Sequence, residues 1–517
     1  MKIFKHASTV SIFTGISRIL GLLREIFMAD LFGTSLAKSA FDVAFRIPNL
    51  FRRLFGEGAL SAAFVPVFSE TLKNEGNHAA RKLAGKVLTM LTTLLLLITF
   101  AVIIITTITI NQAQLGEKAA QVLPLLRIMF PYMFFICIIA LCMGILNANL
   151  KFALPAATPI ILNLTWIAAL FVLCPRFGKT PEQQIYGVAW GVLIAGIIQL
   201  AIQIPALKQH NMLPIISFNW NDKNVRKILM LMGPAALGMG IHQINVGIDG
   251  LLALWVSKWA AAALTYAERL VYLPLGIFAT ALSTVLLPSF SKHAEKDDTA
   301  EICNTISDSI RGLMLIMVPA TLGLIILATP ITRLIFQRGK FDAQSTLQTA
   351  HALWFYAPGL IVFSLYKILT PAFYAMKDTR TPVKVGIIAV VINLTLNITF
   401  IMTWPPAYKH AGLACATVIA SAVNCLILAS ILTKRVGSPG WLSLTNSFIK
   451  TAIAATLMAG AVIMVNHTLP HLSNGFSEST PIGQALNLSA SLFVGILIYT
   501  IAALTICRKE CRTLLHR

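Results

Sequence analysis

Long apolar stretches recur from one end of this chain to the other, as in Val87 to Ile110, Ile161 to Cys174, Gly386 to Met402 and Ser489 to Cys507. A bilayer hydrocarbon core is roughly 30 Å thick, and a chain crossing it must satisfy its backbone hydrogen bonds internally, which favours helices. About fourteen such spans are expected. With 57% hydrophobic and only 12% charged residues over 517, and a mean hydropathy of +0.77, a soluble globular fold is excluded. The expected fold class is an all-α polytopic membrane protein. Lys2 and Lys5 precede an apolar stretch that Arg18, Arg24 and Glu25 interrupt, and no small-x-small cleavage site follows, so this stretch reads as an uncleaved first span.

A net charge of +21 raises the question of a polyanionic partner. With the N-terminus inside, most cations fall on the cytoplasmic side, among them Lys73, Arg81, Lys82, Lys86, Lys223, Arg226, Lys227, Lys434, Arg435, Arg508, Lys509 and Arg512. Lys118, Lys258 and Lys409 stand alone in their outer loops. This positive-inside bias accounts for the excess charge without nucleic acid, and an even span number puts both termini in the cytoplasm. The eight cysteines, such as Cys137, Cys142, Cys303 and Cys425, sit mostly in or beside apolar spans and read as small buried hydrophobes. Cys507 and Cys511 lie one helical turn apart on the reducing side, where a disulfide is not expected.

The two halves of the chain repeat at a period of about 225 residues. Ser61, Pro66, Phe68 and Ser69 of ALSAAFVPVFSE fall on Ser283, Pro288, Phe290 and Ser291 of ALSTVLLPSFSKH. GILNANLKFALP from Gly144 then matches PAFYAMKDTRTP from Pro371 in shape, ILNLT from Ile161 resembles VINLT from Val391, and Gly187 to Trp190 falls on Gly412 to Cys415. The order is the same throughout, as duplication requires. The expected organisation is an N-lobe over 1–210, a C-lobe over 225–436, each of six helices and in parallel orientation, and a C-terminal helix pair over 445–510. Such a plan suits a secondary transporter whose lobes rock about a central cavity. No G-x-x-x-x-G-K-[ST] loop and no long soluble segment is present, so the chain itself does not hydrolyse ATP.

Ionisable groups inside a span cost roughly 2.5 to 3.5 kcal/mol each on insertion scales, so each needs a partner, a wet cavity or a function. The basic ones are Arg18, Arg24, Arg46, Arg52, Arg53, Arg127, Arg269 and Lys367, and the acidic ones Glu25, Asp42, Glu57, Asp249 and Glu268. In the second span Asp42, Arg46, Asn49, Arg53 and Glu57 share one helical face, so Asp42 can pair with Arg46 and Arg53 with Glu57. Such a stripe is either an internally paired structural element or part of a gate. Arg52 lies about 100° from the stripe and has no carboxylate three or four positions away.

Arg24 and Glu25 are adjacent, as are Glu268 and Arg269, and adjacent helical residues do not face each other. That leaves Arg18, Arg24, Arg52 and Arg269 as a candidate uncompensated set, with interfacial snorkelling as the plain alternative for Arg24 and for Arg127. Guanidinium forks match phosphate oxygens bidentately, so several arginines around one cavity point to a phosphate-bearing substrate, and a pyrophosphate would engage three or four. Gly56 and Gly58 flank Glu57, Pro48 and Pro66 interrupt the same span, and Gly15 and Gly21 lie in the first, all candidate hinges or close-packing points. Asp249 stands alone in an apolar span, while Asn393 and Asn397 share a face. Such oxygens could hold a sodium ion or relay a proton, and cross-helix amide bonding is the structural alternative.

The segment Ser17-Arg18-Ile-Leu-Gly21-Leu-Leu-Arg24-Glu25, then Phe45-Arg-Ile-Pro-Asn-Leu-Phe-Arg52-Arg53-Leu-Phe-Gly-Glu57-Gly58 and Ala63-Phe-Val-Pro66, resembles the MurJ (MviN) lipid II flippases. They belong to the superfamily of multidrug, oligosaccharidyl-lipid and polysaccharide exporters. Tyr266-Ala-Glu268-Arg269-Leu and Leu287-Pro288-Ser289 extend the likeness to essentially the whole chain. The resemblance implies two six-helix lobes around a cationic cavity, and a groove at the last two helices for the undecaprenyl tail. It also implies alternating access that carries lipid II from the cytoplasmic to the outer leaflet of the bacterial inner membrane. It puts substrate-binding arginines at Arg18, Arg24, Arg52 and Arg269, and gate or hinge residues at Ser17, Gly21, Glu25, Ser39, Asp42, Arg53, Glu57 and Gly58. The family often has aspartate at Glu25 and Ser39, whereas here an acid appears one turn later, at Asp42. Its sodium site would fall on Asp249, Asn393 and Asn397, with an amide at Asn397 removing one charge.

The expected function is therefore a lipid II flippase that uses no cofactor. It is driven by Na+, H+ or the membrane potential, works as a monomer, and associates with cell-wall synthesis or division proteins. A flippase for another polyprenyl-pyrophosphate oligosaccharide would use the same arginines. A membrane glycosyltransferase would need an acid pair on a sizeable outer loop, and Asp30, Glu117, Glu182, Asp342 and Glu478 lie in short segments without one.

Overall fold

The computed structural model describes residues 2–53, 59–112, 114–296, 298–472, 480–508 and 510–511, and among them every regular element is helical. The chain forms two compact units, Met1–Ala262 and Ala263–Arg517. In the first lie α1 (Lys2–Phe32), α2 (Leu36–Phe51), α3 (Ala59–Gln112), α4 (Glu117–Met129), α5 (Tyr132–Ala148), α6 (Ala153–Val172), the single turn α7 (Cys174–Phe177), α8 (Pro181–Gln209) and α9 (Lys223–Val256). Helix α10 (Ala260–Pro274) starts at the division and continues into α11 (Thr280–Ala294). The second unit goes on with α12 (Thr299–Ile326), α13 (Ala328–Phe336), α14 (Ala343–Tyr356), α15 (Gly359–Ala375), α16 (Arg380–Thr403), α17 (Lys409–Val436), α18 (Trp441–Leu472) and α19 (Pro481–Ile506).

Among the described residues ten helices are long and apolar enough to cross a membrane, and α14 with α15, bent by 45°, makes eleven. Helices α1, α2 and α9 occupy the remaining expected spans, which is consistent with fourteen. The breaks follow from local chemistry. Gly76, at φ 84 and ψ 178, turns α3 where a side chain would be strained. Pro274 lacks the N–H that would continue α10, and Leu275–Ala279 widen into a π-turn closed by the Thr280 N–H on the Leu275 carbonyl. Ser35 caps α2 by accepting from the Lys38 N–H at 3.3 Å.

The sequence repeat divides the chain between 210 and 225, whereas the compact units divide at Ala262, one helix later. Duplication and packing are different things, and α9 shows how they part. It is fastened along its length to the first unit. Lys86 Nζ meets Asp222 Oδ2 at 2.5 Å and Lys227 Nζ meets Glu70 Oε2 at 2.8 Å near its start. Arg46 Nη1 donates to the Val246 carbonyl at 2.8 Å, and Arg53 Nη1 to Gln243 Oε1 at 3.2 Å, in its middle. Lys118 Nζ donates to the Trp255 carbonyl at 2.8 Å, and Lys258 pairs with Glu117, at its end. Gly250 makes room for the Arg46 guanidinium, since a Cβ there would lie 2.5 Å from Nη1.

In the second unit the C-terminal pair α18 and α19 packs on α12 and α13 through Leu327, Met458, Val462 and Leu488. Tyr499 Oη donates to the Leu315 carbonyl at 2.5 Å, and Gly495 lets the two helices close, because a Cβ there would meet Val462 Cγ2 at 2.7 Å.

Candidate functional site

The densest group of buried charge in the first unit lies where α1, α2 and α6 meet. Arg24 and Glu25, on α1, are both buried. Arg24 Nη2 pairs with Glu25 Oε1 at 2.6 Å, and its Nη1 donates to Asn163 Oδ1 at 3.0 Å. Its guanidinium lies over the Trp166 ring, 4.1 Å from the centroid. Asn163 holds α1 in return, donating to the Ser17 carbonyl at 3.0 Å and to Ser17 Oγ at 3.4 Å. Trp166 is fixed by its Nε1 donating to Met28 Sδ at 3.4 Å and by edge contacts with Phe41 and Phe45 at 5.1 and 5.2 Å.

From α2 comes Lys38, only 1% exposed. Its Nζ bonds Asp42 at 2.6 and 2.7 Å and reaches Glu25 Oε2 at 3.7 Å. Glu25 thus stands between two cations, and Arg24, Glu25, Lys38 and Asp42 form a cluster of balanced formal charge.

This geometry corrects two sequence expectations. Adjacency does not keep Arg24 from Glu25, because both side chains are long enough to bend toward each other once water is excluded and no closer carboxylate competes. Asp42 pairs with Lys38, one turn back, while Arg46 is drawn to a backbone carbonyl of α9. Arg53 bonds Gln243, and its expected partner Glu57 lies, with Gly58, outside the described residues. Arg52 is half-buried, its Nε donating to Asn49 Oδ1 at 2.8 Å, and Arg18 is exposed on α1. Ser39 is buried and its Oγ accepts from the Ala262 N–H at 3.2 Å. Gly21 is not forced to be glycine by space, since a Cβ there would make ordinary contact with Asn163 at 3.8 Å. Arg127, half-buried, donates to Thr107 Oγ1 at 3.5 Å. Arg269 is exposed on α10 in the second unit, and Lys367 is half-buried on α15.

The candidate cation ligands fall in both units. In the first, Asp249 is accompanied rather than alone, with Asn245 Nδ2 donating to its Oδ2 at 3.4 Å one turn away on α9. In the second, Asn397 Nδ2 donates to Asn393 Oδ1 at 2.9 Å and Asn393 Nδ2 to Thr417 Oγ1 at 3.3 Å, linking α16 to α17. This amide and hydroxyl set is neutral, so it would suit a weakly held monovalent ion better than a divalent one. No group of three His, Cys, Asp or Glu with metal-holding geometry occurs among the described residues.

The sequence profile of the family described as lipid II flippase MurJ matches residues 28–480. The chain belongs to the MurJ family. It is 36% identical over 472 residues to the lipid II flippase MurJ of Burkholderia cenocepacia, covering 89% of each chain. To the probable lipid II flippase MurJ of Rickettsia prowazekii it is 35% identical, covering 96% of this chain and 97% of that one. It superposes on a lipid II flippase MurJ in an inward closed conformation with a TM-score of 0.78 at 27% identity, over 97% of this chain and 99% of that chain. An inward-facing MATE multidrug transporter shares the fold, at TM-score 0.68 and 14% identity over 83% of this chain and 95% of that chain. Membership makes this MurJ homologue a multi-pass membrane transporter and not an enzyme.

Three residues of the cluster escaped the sequence reading: Lys38, Asn163 and Trp166. Lys38 is one turn before Asp42, the same spacing that singled out the stripe. Asn163 and Trp166 are three apart in ILNLTWIAAL, a spacing that sets them on one face of an apolar helix.

Proposed function

We propose that this chain flips lipid II from the cytoplasmic to the outer leaflet of the bacterial inner membrane by alternating access, as a monomer with both termini in the cytoplasm. The observation that carries the reading is Arg24, a buried guanidinium cradled by Glu25, Asn163 and Trp166 in a chain of the MurJ family. A pyrophosphate arriving at Arg24 competes with Glu25 for the same fork of donors. Lys38, already 3.7 Å from Glu25, keeps that carboxylate paired when Arg24 turns to phosphate. Asn163 and the Trp166 face hold the guanidinium plane meanwhile, so the exchange costs little side-chain ordering. Arg18, Arg52 and Arg269 complete the anion-binding set in this proposal, and Na+, H+ or the membrane potential drives the cycle.

The test is depletion of the protein followed by an assay of which leaflet exposes lipid II. Lipid II should build up facing the cytoplasm, and re-expression of the wild type, not of Arg24→Ala, should clear it. Accumulation of a different polyprenyl-linked glycan, with lipid II distributed normally, would overturn the reading.

A further inference from the structure

In the segment joining α8 to α9, residues 211–217 run along the turns of α3 that follow Gly76, and residues 218–222 turn back over them, with the Trp220 N–H donating to the Phe218 carbonyl at 3.1 Å. Asn77 Nδ2 donates to the Asn211 carbonyl at 3.1 Å and Arg81 Nε to the Leu213 carbonyl at 2.8 Å. The Ile215 N–H donates to the Arg81 carbonyl at 3.0 Å, and Thr89 Oγ1 to the Ser217 carbonyl at 2.7 Å. Trp220 Nε1 donates to Thr89 Oγ1 at 3.2 Å, and Lys86 with Asp222 closes the series. Gly85 is required under it, because a Cβ there would lie 1.6 Å from the Ile215 carbonyl oxygen.

An extended backbone sends alternate side chains to opposite faces. Exposure alternates in this way from Ile215 to Phe218, with Ile215 and Ser217 half-buried and Ile216 and Phe218 71% and 72% exposed, and Trp220, 41% exposed, follows the turn. Ile216 and Phe218 are thus held outward, while Trp220 lies beside them, partly exposed, with its Nε1 tied back to Thr89. Exposed cations flank them: Lys82 on α3, and Lys223 and Arg226 in the first turn of α9. The strap follows the end of α8, a helix long and apolar enough to cross a membrane, so we place it at the depth where hydrocarbon gives way to headgroups. Aromatic side chains with neighbouring cations are favoured at that depth, and each Lys or Arg close to an anionic leaflet changes partitioning by about fivefold.

We propose that residues 211–222 are an interfacial strap that seats Ile216 and Phe218, with the exposed part of Trp220 beside them, among the headgroups of an anionic phospholipid leaflet. Lys82, Lys223 and Arg226 meet the lipid phosphates there. The charge complementarity and the fixed outward ridge favour a lipid surface over a soluble protein. The inference is independent of what the transporter carries.

The test uses the full chain in nanodiscs and takes the Trp220 signal as the difference between wild type and Trp220→Phe. Lipids brominated near the headgroup should quench that component more than lipids brominated deep in the chain. Quenching should rise as phosphatidylglycerol replaces phosphatidylcholine, and Lys223→Gln with Arg226→Gln should remove the rise. Gly85→Ala should lift the strap and expose Trp220 to acrylamide, and if that variant does not fold, the lipid-depth and charge series still decide. Strong acrylamide quenching of the wild type with none by either bromolipid would overturn the proposal and favour a water-facing ridge for a soluble partner. Deep quenching equal to shallow, or no dependence on anionic lipid, would overturn it as well.

Discussion

The repeat places Asn163 of ILNLT and Asn393 of VINLT at equivalent positions in the two halves, yet the structure gives them different work. Asn163 accepts from a buried arginine and ties α6 to the α1 backbone. Asn393 accepts from Asn397 and donates to Thr417, closing a neutral ladder between α16 and α17. Three residues on, the first half has Trp166, which carries the guanidinium on its face, and the second has Leu396. One further along, Ile167 in the first half becomes Asn397 in the second. Duplication supplied the amide, and its neighbours decided whether it serves a charge or another amide.

Several changes would break or sharpen that contrast. Arg24→Ala should abolish transport, read as loss of complementation in depleted cells at matched membrane abundance, and should also lower stability, because Glu25 is left sharing Lys38 with Asp42. Lys38→Met should lower abundance or thermal stability in detergent by about 3 to 5 kcal/mol, since it strands the buried Asp42 carboxylate. The double change Lys38→Met with Asp42→Leu should recover most of that loss, and equal damage from both would show that the pair is not a self-contained unit. Asn163→Leu should cost clearly more transport than Asn393→Leu, and equal costs would erase the contrast between the halves. Trp166→Leu, which copies the second half into the first, should weaken substrate handling by about 0.5 to 2 kcal/mol in apparent affinity, the usual worth of a cation–π contact.

The smallest effect is expected at a connection outside the spans. Asp378 sits before α16, and burial alone would raise its carboxyl. The Thr381 hydroxyl at 2.5 Å, the Thr381 N–H at 2.9 Å and the Arg435 guanidinium outweigh that and hold it at about 2. Asp222 is lowered likewise, its partial burial outweighed by Lys86 and the α9 N–H groups of Asn224 and Val225. A carboxyl depressed in the folded state contributes stability above its ordinary range, lost as pH falls toward its folded value. Thermal stability of the purified protein should therefore decline between pH of about 4 and 2. Arg435→Gln should flatten part of that decline, by a small amount because Arg435 is well exposed.

Hydropathy alone determined that this chain is a bundle of membrane helices, because no other backbone arrangement fits long apolar runs in lipid. The repeat predicts a duplicated plan, and long motifs determined its family. The arginines were legible as a cost that lipid imposes, and a glutamate and an aspartate were visible close to them. Which acid serves which cation was legible only in part, since Lys38 and Asp42 do have i,i+4 spacing on α2 and Arg24 and Glu25 are neighbours on α1, but the approach of Lys38 to Glu25 joins two helices. The same limit hid Asn163 and Trp166, whose value to Arg24 exists only once α6 lies against α1. It also hid the attachment of α9, a second-half helix by sequence, to the first unit. Spacing along a chain specifies a face, but only tertiary packing decides what that face meets, because buried charges select partners by distance through space.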